Sequence, residues 1–163
     1  MLEYRTAKSD ADFEQLETMA REIWRECFRG IITDGQIEYM LGKFLTASEM
    51  KRCAADGYIF QTVCSGERRV GFLSMHPESE MMFLSKLYLY KGERGKGFGG
   101  EMLGHVRDEA KKRGLPKVYL TVNRGNARAI AVYEHAGYIR AREQIADIGG
   151  GYVMDDYVME QTV

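Results

Sequence analysis

Met81-Met82-Phe83-Leu84-Ser85-Lys86-Leu87-Tyr88-Leu89-Tyr90-Lys91-Gly92-Glu93-Arg94-Gly95-Lys96-Gly97-Phe98-Gly99-Gly100 is the stretch that decides the fold. From Met81 to Tyr90 apolar residues stand at odd and even positions alike, which predicts a strand buried on both faces in the middle of a sheet. Lys91 to Gly97 breaks that strand. From Gly97 to Lys112 the spacing of Met102, Leu103, Val106 and Ala110 is helical, with Lys111-Lys112-Arg113 favourable at the negative end and Gly114 placed to cap it. Glycines directly before a helix let a ligand approach backbone N–H groups that have no intrahelical partner, and the helix dipole attracts an anion there. Arg94 and Lys96 add positive charge to that loop. A plain turn with solvated basic residues is the simpler alternative.

Read by its letters, Gly95 to Gly100 fits G-x-G-x-x-G, the dinucleotide fingerprint. That reading needs an acidic residue ~20 positions on, at the end of the next strand. Leu120-Thr121-Val122-Asn123 holds none, and the loop lies past the middle of the chain. A nicotinamide-dependent oxidoreductase is therefore disfavoured. A phosphate loop of the Walker kind fails too, because Gly97 rather than Ser or Thr follows Lys96.

Working outward, Val118 to Val122 reads as a strand and Asn126 to Ala136 as a helix closed by Gly137. Tyr138 to Ile148 and Tyr152 to Gln161 can pair through Gly149-Gly150-Gly151. Upstream, Leu2 to Thr6 is a short strand, and Ser9-Asp10-Ala11-Asp12 has the form of a capping box. Phe13, Leu16, Met19, Ala20, Ile23, Trp24 and Cys27 share the core face of the helix that follows. Thr33-Asp34-Gly35-Gln36 repeats the cap before Ile37, Met40, Leu41 and Phe44, and a shorter helix runs from about Ser48 to Ala55. Tyr58 to Cys64 and Arg69 to Met75 read as a hairpin across Ser65-Gly66-Glu67-Arg68. The order β-α-α-(α)-β-β-β-α-β-α-β-β describes one mixed α/β domain over residues 1–163.

With 163 residues the chain is long enough to bury a core without disulfides. Twenty-three basic against 24 acidic residues leave a formal charge of -1, which gives no general attraction to nucleic acid or to an anionic membrane. Cys27, Cys53 and Cys64 are an odd count without CxxC spacing, as expected of free thiols in a reducing compartment. No stretch approaches a membrane span, and Met1 to Arg5 lacks the plan of a secretory signal, so a cytoplasmic location is expected. His105 and His135 have no HExxH spacing, and no metal site is expected.

Arg94, Gly97 and Gly99 also fit the pattern Arg/Gln-x-x-Gly-x-Gly/Ala, and Asn126-Ala127-Arg128-Ala129-Ile130-Ala131-Val132-Tyr133-Glu134-His135-Ala136-Gly137-Tyr138 resembles Asn-x-x-Ala-Ile-x-x-Tyr-x-x-x-Gly-Phe/Tyr. On these two motifs the chain resembles the GNAT acetyltransferase superfamily. It is more loosely similar to the small-molecule and polyamine-type members. The specific part of the likeness covers about 81 to 138, while the element order agrees along the whole chain. The resemblance implies a single domain with a central, mostly antiparallel twisted sheet flanked by helices.

It also implies transfer of acetyl from acetyl-CoA to a small-molecule or peptide amine by direct attack in a ternary complex. The backbone of Arg94, Gly95, Lys96, Gly97, Phe98 and Gly99 would hold the pyrophosphate. The backbone of Leu87, Tyr88 and Leu89 would hold the pantetheine arm, Asn126 would contact that arm, and Tyr133 would protonate the departing thiolate. Many relatives place a carboxylate base on the central strand, but Met81 to Lys86 contains none. Glu78, Glu80, His76, a water or the substrate itself remain as bases. Asp34, Glu38, Glu78 and Asp156 are the acids that could face a cationic acceptor, and homodimerisation is open. A CoA-binding module without catalysis is the alternative, against which the retained Tyr133 argues.

Overall fold

The computed structural model describes residues 1–163. The elements are β1 (Leu2–Thr6), α1 (Asp10–Cys27), α2 (Asp34–Phe44), α3 (Ala47–Ala55), β2 (Ile59–Ser65), β3 (Arg68–Pro77) and β4 (Met81–Leu89), then a 3-10 turn (Lys91–Glu93). They continue with α4 (Phe98–Lys112), β5 (Lys117–Asn123), α5 (Ala127–His135), β6 (Ile139–Gly149) and β7 (Tyr152–Thr162). The strands form a seven-stranded sheet in the order β1-β2-β3-β4-β5-β7-β6. The β4–β5 pair is parallel, and β1–β2, β2–β3, β5–β7 and β6–β7 are antiparallel. The chain divides into two compact units, Met1–Met75 with Lys86–Phe98, and His76–Ser85 with Gly99–Val163. No helix is long and apolar enough to cross a membrane.

In the first unit, the helix starts follow the expected cap chemistry. Ser9 Oγ accepts from Asp12 N at 3.2 Å and Asp12 Oδ2 accepts from Ser9 N at 3.0 Å, a reciprocal box that satisfies two amides at the start of α1. Thr33 and Thr46 cap α2 and α3 in the same way. Phe13, Leu16, Met19, Ala20, Ile23 and Trp24 are buried along one face of α1, and Phe13 meets Phe60 of β2 edge-on at 6.0 Å. The β2–β3 hairpin turns at Gly66, whose φ of +64° suits the first central position of a II′-type turn. Trp24, Phe28 and Phe72 surround the Tyr88 ring at 5.7, 6.2 and 5.4 Å. Gly71 on β3 allows this part of β4 to come close, because a Cβ there would lie 2.0 Å from the Tyr88 carbonyl oxygen.

In the second unit, β5 alternates cleanly. Val118, Leu120 and Val122 are buried, while Lys117, Tyr119, Thr121 and Asn123 on the opposite face are half-buried. Met102, Leu103, Val106 and Ala110 form the buried face of α4. That helix ends at Gly114 (φ +68°), with Gly114 N donating to Lys111 O and Leu115 N to Ala110 O, so its last carbonyls are satisfied. Gly149, Gly150 and Gly151 all have positive φ and carry the chain from β6 into β7.

Two sequence expectations change. β4 was expected to be buried on both faces, yet only Met82 and Leu84 are buried and its other residues are half-buried. Its parallel register with β5 covers Met81–Leu84 and stops there, while β4 runs on to Leu89. Apolar residues on both parities therefore did not require full cover on both faces. Asn126 and Gly97 also lie outside the helices expected to include them, Asn126 as a cap and Gly97 in the loop.

Candidate active site

The glycine loop sits where expected. After the 3-10 turn, Gly95 (φ +77°) and Gly97 (φ +84°) turn the backbone into the first turn of α4, and a Cβ on either would meet nothing within 4 Å. The unpaired first amides of a 15-residue helix thus follow a loop without side-chain cover. What holds this loop is a residue that sequence reasoning missed. Glu93, 8 % exposed, accepts from Arg68 Nε at 2.9 and 3.1 Å and from Lys96 Nζ at 3.1 Å. These partners, Arg68 first, hold its carboxyl below the usual range despite the cost of burial.

Lys96, expected to add positive charge at this loop, directs its ammonium to Glu93. Arg94 bends back, Nη2 donating to Leu89 O at 3.5 Å while its Nε is buried without a partner. Phe98 opens α4 and Gly99 follows it. An anion at this loop would therefore meet mainly backbone amides and the helix dipole. The sequence signal for Glu93 was its three-residue step to Lys96; Arg68 lies 25 positions away and carried no local signal.

Leu87, Tyr88 and Leu89 close β4, and the Tyr88 ring is committed to the aromatic cluster described above. Their backbone is what the expected role would use. Lys86, just before them, was not singled out by sequence. Its ammonium lies 5.7 Å from the Phe60 ring centroid, and burial lowers its pKa against the opposing charges of Cys53 and Glu49.

Asn126 and Tyr133 belong to α5. Asn126, 7 % exposed, is the N-cap, its Oδ1 accepting from Ala129 N at 3.2 Å. The cap uses the side-chain oxygen, so a cofactor contact would fall to the amide nitrogen. Tyr133 is half-buried, with its ring 6.0 Å from that of Tyr138. Tyr138 is 2 % exposed, and burial, with Tyr133 beside it, pushes its phenol well above the usual range.

Among the expected bases, Tyr119 Oη donates to Glu78 Oε1 at 2.8 Å, and His76 Nδ1 lies 3.5 Å from Glu78 Oε2. Phe83 stacks on Tyr119 at 4.8 Å. His76 and Glu78 are thus together, with Tyr119 as a member that the sequence reading did not identify. Glu80 is exposed and joins no such group. Of the other acids, Glu38 is engaged by both ends of the Arg25 guanidinium at 2.8 and 3.0 Å, and Asp34 is exposed in the first turn of α2.

Asp156 differs from all of these. It is 3 % exposed on β7, and burial, helped by Asp155, raises its pKa to about 6. Its cross-strand neighbours are Asn123 and Gln144. Cys27, Cys53 and Cys64 are free thiols, and no group of His, Cys, Asp and Glu is arranged to hold a metal. His105 on α4 has its pKa lowered by burial, and His135 is exposed in the last turn of α5.

Residues 17–138 match the family model described as the acetyltransferase (GNAT) family. A 46-residue segment is 44% identical to the [ribosomal protein bS18]-alanine N-acetyltransferase of Escherichia coli K12, covering 28% of this chain and 31% of that one. An 86-residue segment is 30% identical to the streptothricin acetyltransferase of Streptomyces lavendulae, covering 52% and 46%. The chain thus spans less than half the length of each of these two relatives. Among solved structures, the PaiA N-acetyltransferase of Thermoplasma acidophilum in complex with coenzyme A is similar with a TM-score of 0.80 and 23% identity, over 100% of this chain and 99% of that one. The E. coli ribosomal-protein-S18-alanine N-acetyltransferase is similar with a TM-score of 0.70 and 18% identity, over 100% and 94%. These likenesses extend the agreement in fold over the whole chain, and with three quarters of it inside the family match, the chain belongs to the GNAT acetyltransferase family.

Proposed function

We propose that this chain, acting as one functional domain over residues 1–163, is an N-acetyltransferase that uses acetyl-CoA as co-substrate and a primary amine as acceptor. The observation that carries the reading is the glycine loop ahead of α4, open at the Cβ positions of Gly95 and Gly97 and fixed by Glu93. Backbone amides from Arg94 to Gly99 suit a pyrophosphate, and the backbone of Leu87, Tyr88 and Leu89 suits the amide-bearing pantetheine arm. Asn126 retains an amide nitrogen for the same arm. Family membership supports the activity. The named relatives acetylate a ribosomal-protein alanine and streptothricin, which supports an amine on a peptide or a small molecule. Three free thiols suit a reducing compartment such as the cytoplasm.

In the proposed reaction the amine nitrogen bonds to the thioester carbonyl carbon as the C–S bond breaks. Tyr133 gives its phenolic proton to the departing sulfur, which keeps the thiolate from attacking the product, and the proton that the nitrogen sheds as the amide forms restores the phenol. The ammonium form of the acceptor must lose a proton first, to water, to a second amine or to a carboxylate of the chain.

Thermal unfolding with acetyl-CoA, CoA and NAD tests the cofactor, since a ligand at ~100 times its dissociation constant adds ~2.7 kcal/mol to stability. A midpoint raised by both CoA species and not by NAD supports the proposal; stabilisation by NAD alone refutes it. Tyr133→Phe is then expected to lower kcat by ~10²-fold, within the range for a positioned general acid, with CoA binding intact. Unchanged turnover and pH profile would remove Tyr133 from this role.

A further inference from the structure

Asp156 is a buried acid for which the fold provides no partner. It is 3 % exposed, yet its carboxyl oxygens are not among the side-chain atoms sealed off without a partner, so the little surface they keep is open to a ligand. Buried carboxylates are ordinarily hydrogen-bonded or paired, because an uncompensated charge out of water is costly. The cross-strand neighbours cannot supply the missing charge: Asn123 on β5 is neutral and turns its Oδ1 to Gly125 N, while Gln144 on β6 accepts from Arg142. Adjacent on β7, Asp155 is an acid itself, and it takes the Nε of Arg124 while Glu143 on β6 takes the Nη1. Arg124, whose backbone N donates to Asp155 O, is thus bound to two other carboxylates.

The register places Asp156 on a definite face. Opposite residues of an antiparallel pair project to the same side, so Asp156 shares a face with Asn123 and, two and four residues back along β5, with Thr121 and Tyr119. That face also carries Phe83, opposite Tyr119 in the β4–β5 register, and Glu78 through its bond to the Tyr119 hydroxyl. The other face of β5 is the apolar one, with Val118, Leu120 and Val122. Asp156 is therefore on the polar and aromatic side of these strands.

We propose that Asp156 is the carboxylate that receives the acceptor's ammonium group and takes its proton. This deepens the acetyltransferase reading and rests on it. An ammonium is the partner that a buried, unpaired carboxylate lacks. On proton transfer the carboxylate becomes a carboxylic acid, the amine lone pair bonds to the thioester carbon, the C–S bond breaks as sulfur takes the proton of Tyr133, and the second nitrogen proton leaves as the amide forms, restoring the Tyr133 phenol, while Asp156 releases its proton to solvent. Glu78 is the weaker candidate because the Tyr119 hydroxyl already donates to one of its oxygens. The role also answers the missing carboxylate on the central strand: the acid comes from β7 instead.

The test combines kinetics with a measurement that needs no turnover. In wild-type protein saturated with CoA, the carbon-13 carboxyl resonance of Asp156 is followed against pH with and without propylamine, 1,4-diaminobutane or an alanyl peptide. At least one amine is expected to lower the titration midpoint, as an ammonium partner favours the charged form. With acetyl-CoA and that amine, kcat/KM is expected to rise with pH through about 6, and Asp156→Asn to lose ~10²-fold or more in kcat/KM and that acid limb. CoA-induced stabilisation of the variant should match wild type, which separates a failed acceptor site from a failed cofactor site. The inference is overturned if no amine moves the Asp156 midpoint, or if Asp156→Asn turns over within ~3-fold of wild type with the acid limb in place. If CoA itself does not bind, the acetyltransferase reading fails, and the carboxyl titration with amines alone still decides whether Asp156 meets an ammonium.

Discussion

Gly71→Ala tests how closely β3 and β4 are packed beside Leu87, Tyr88 and Leu89. A Cβ at position 71 would stand 2.0 Å from the Tyr88 carbonyl oxygen, 3.0 Å from its carbon and 3.1 Å from Leu89 Cα, all of them backbone atoms. Even a close carbon-to-oxygen contact needs ~3.3 Å, so one strand must move by roughly 1.3 Å. Neither has room, with Val70 and Phe72 fully buried on either side of Gly71 and the Tyr88 ring held by three aromatic neighbours. The expected cost is ~3 kcal/mol, the upper end for overpacking a rigid site. For a domain of this size that is a fall of roughly 6–12 °C in melting midpoint.

The same substitution at Gly104 is the control. Gly104 is exposed inside α4 with nothing within 4 Å of its Cβ position, so alanine there should stabilise by ~1 kcal/mol through helix propensity alone. Paired thermal and urea melts of the two variants check the argument. A Gly71→Ala protein melting within ~2 °C of wild type, beside a Gly104→Ala protein that gains as expected, would refute the close-approach reasoning.

Two further predictions concern the site. Asp156 holds its proton up to about 6 in the fold against an ordinary 3.8, so between these values the native state binds more protons than the unfolded chain. Stability should therefore fall as pH rises through that window, by ~3 kcal/mol from this group, and Asp156→Asn should remove the slope and melt higher above pH 6; melts from pH 4 to 8 check the sign. Gly97→Ala has space for its methyl but not the backbone for it, since φ is +84°. It should lose ~1–2 kcal/mol of stability and weaken the CoA binding proposed above, measured by melts and by calorimetric titration with CoA.

The order of elements along the chain was legible because each rests on local chemistry. The Ser9, Thr33 and Thr46 caps, the spacing of Phe13 to Trp24 and the turns at Gly66 and Gly149–Gly151 all act within a few residues of themselves. The glycine loop was legible for the same reason, since an open backbone before an amphipathic helix is written in consecutive letters. Less legible was β4. Its composition reads as buried on both sides, and how much of each face is covered depends on which strands run beside it and for how far.

The candidate site divides in the same way. Arg94 to Gly99, Asn126 and Tyr133 lie in motifs whose spacing the sequence displays outright. Glu93 as the clamp of the loop, Tyr119 on Glu78, and Asp156 without a partner appear only when residues tens of positions apart are brought together. A sequence determines what the backbone does within a turn or two, because propensity, capping and periodicity are short-range. Which charges are compensated, and which carboxylate is left waiting for one, depends on long-range contacts and burial, and those exist only once the strands have paired.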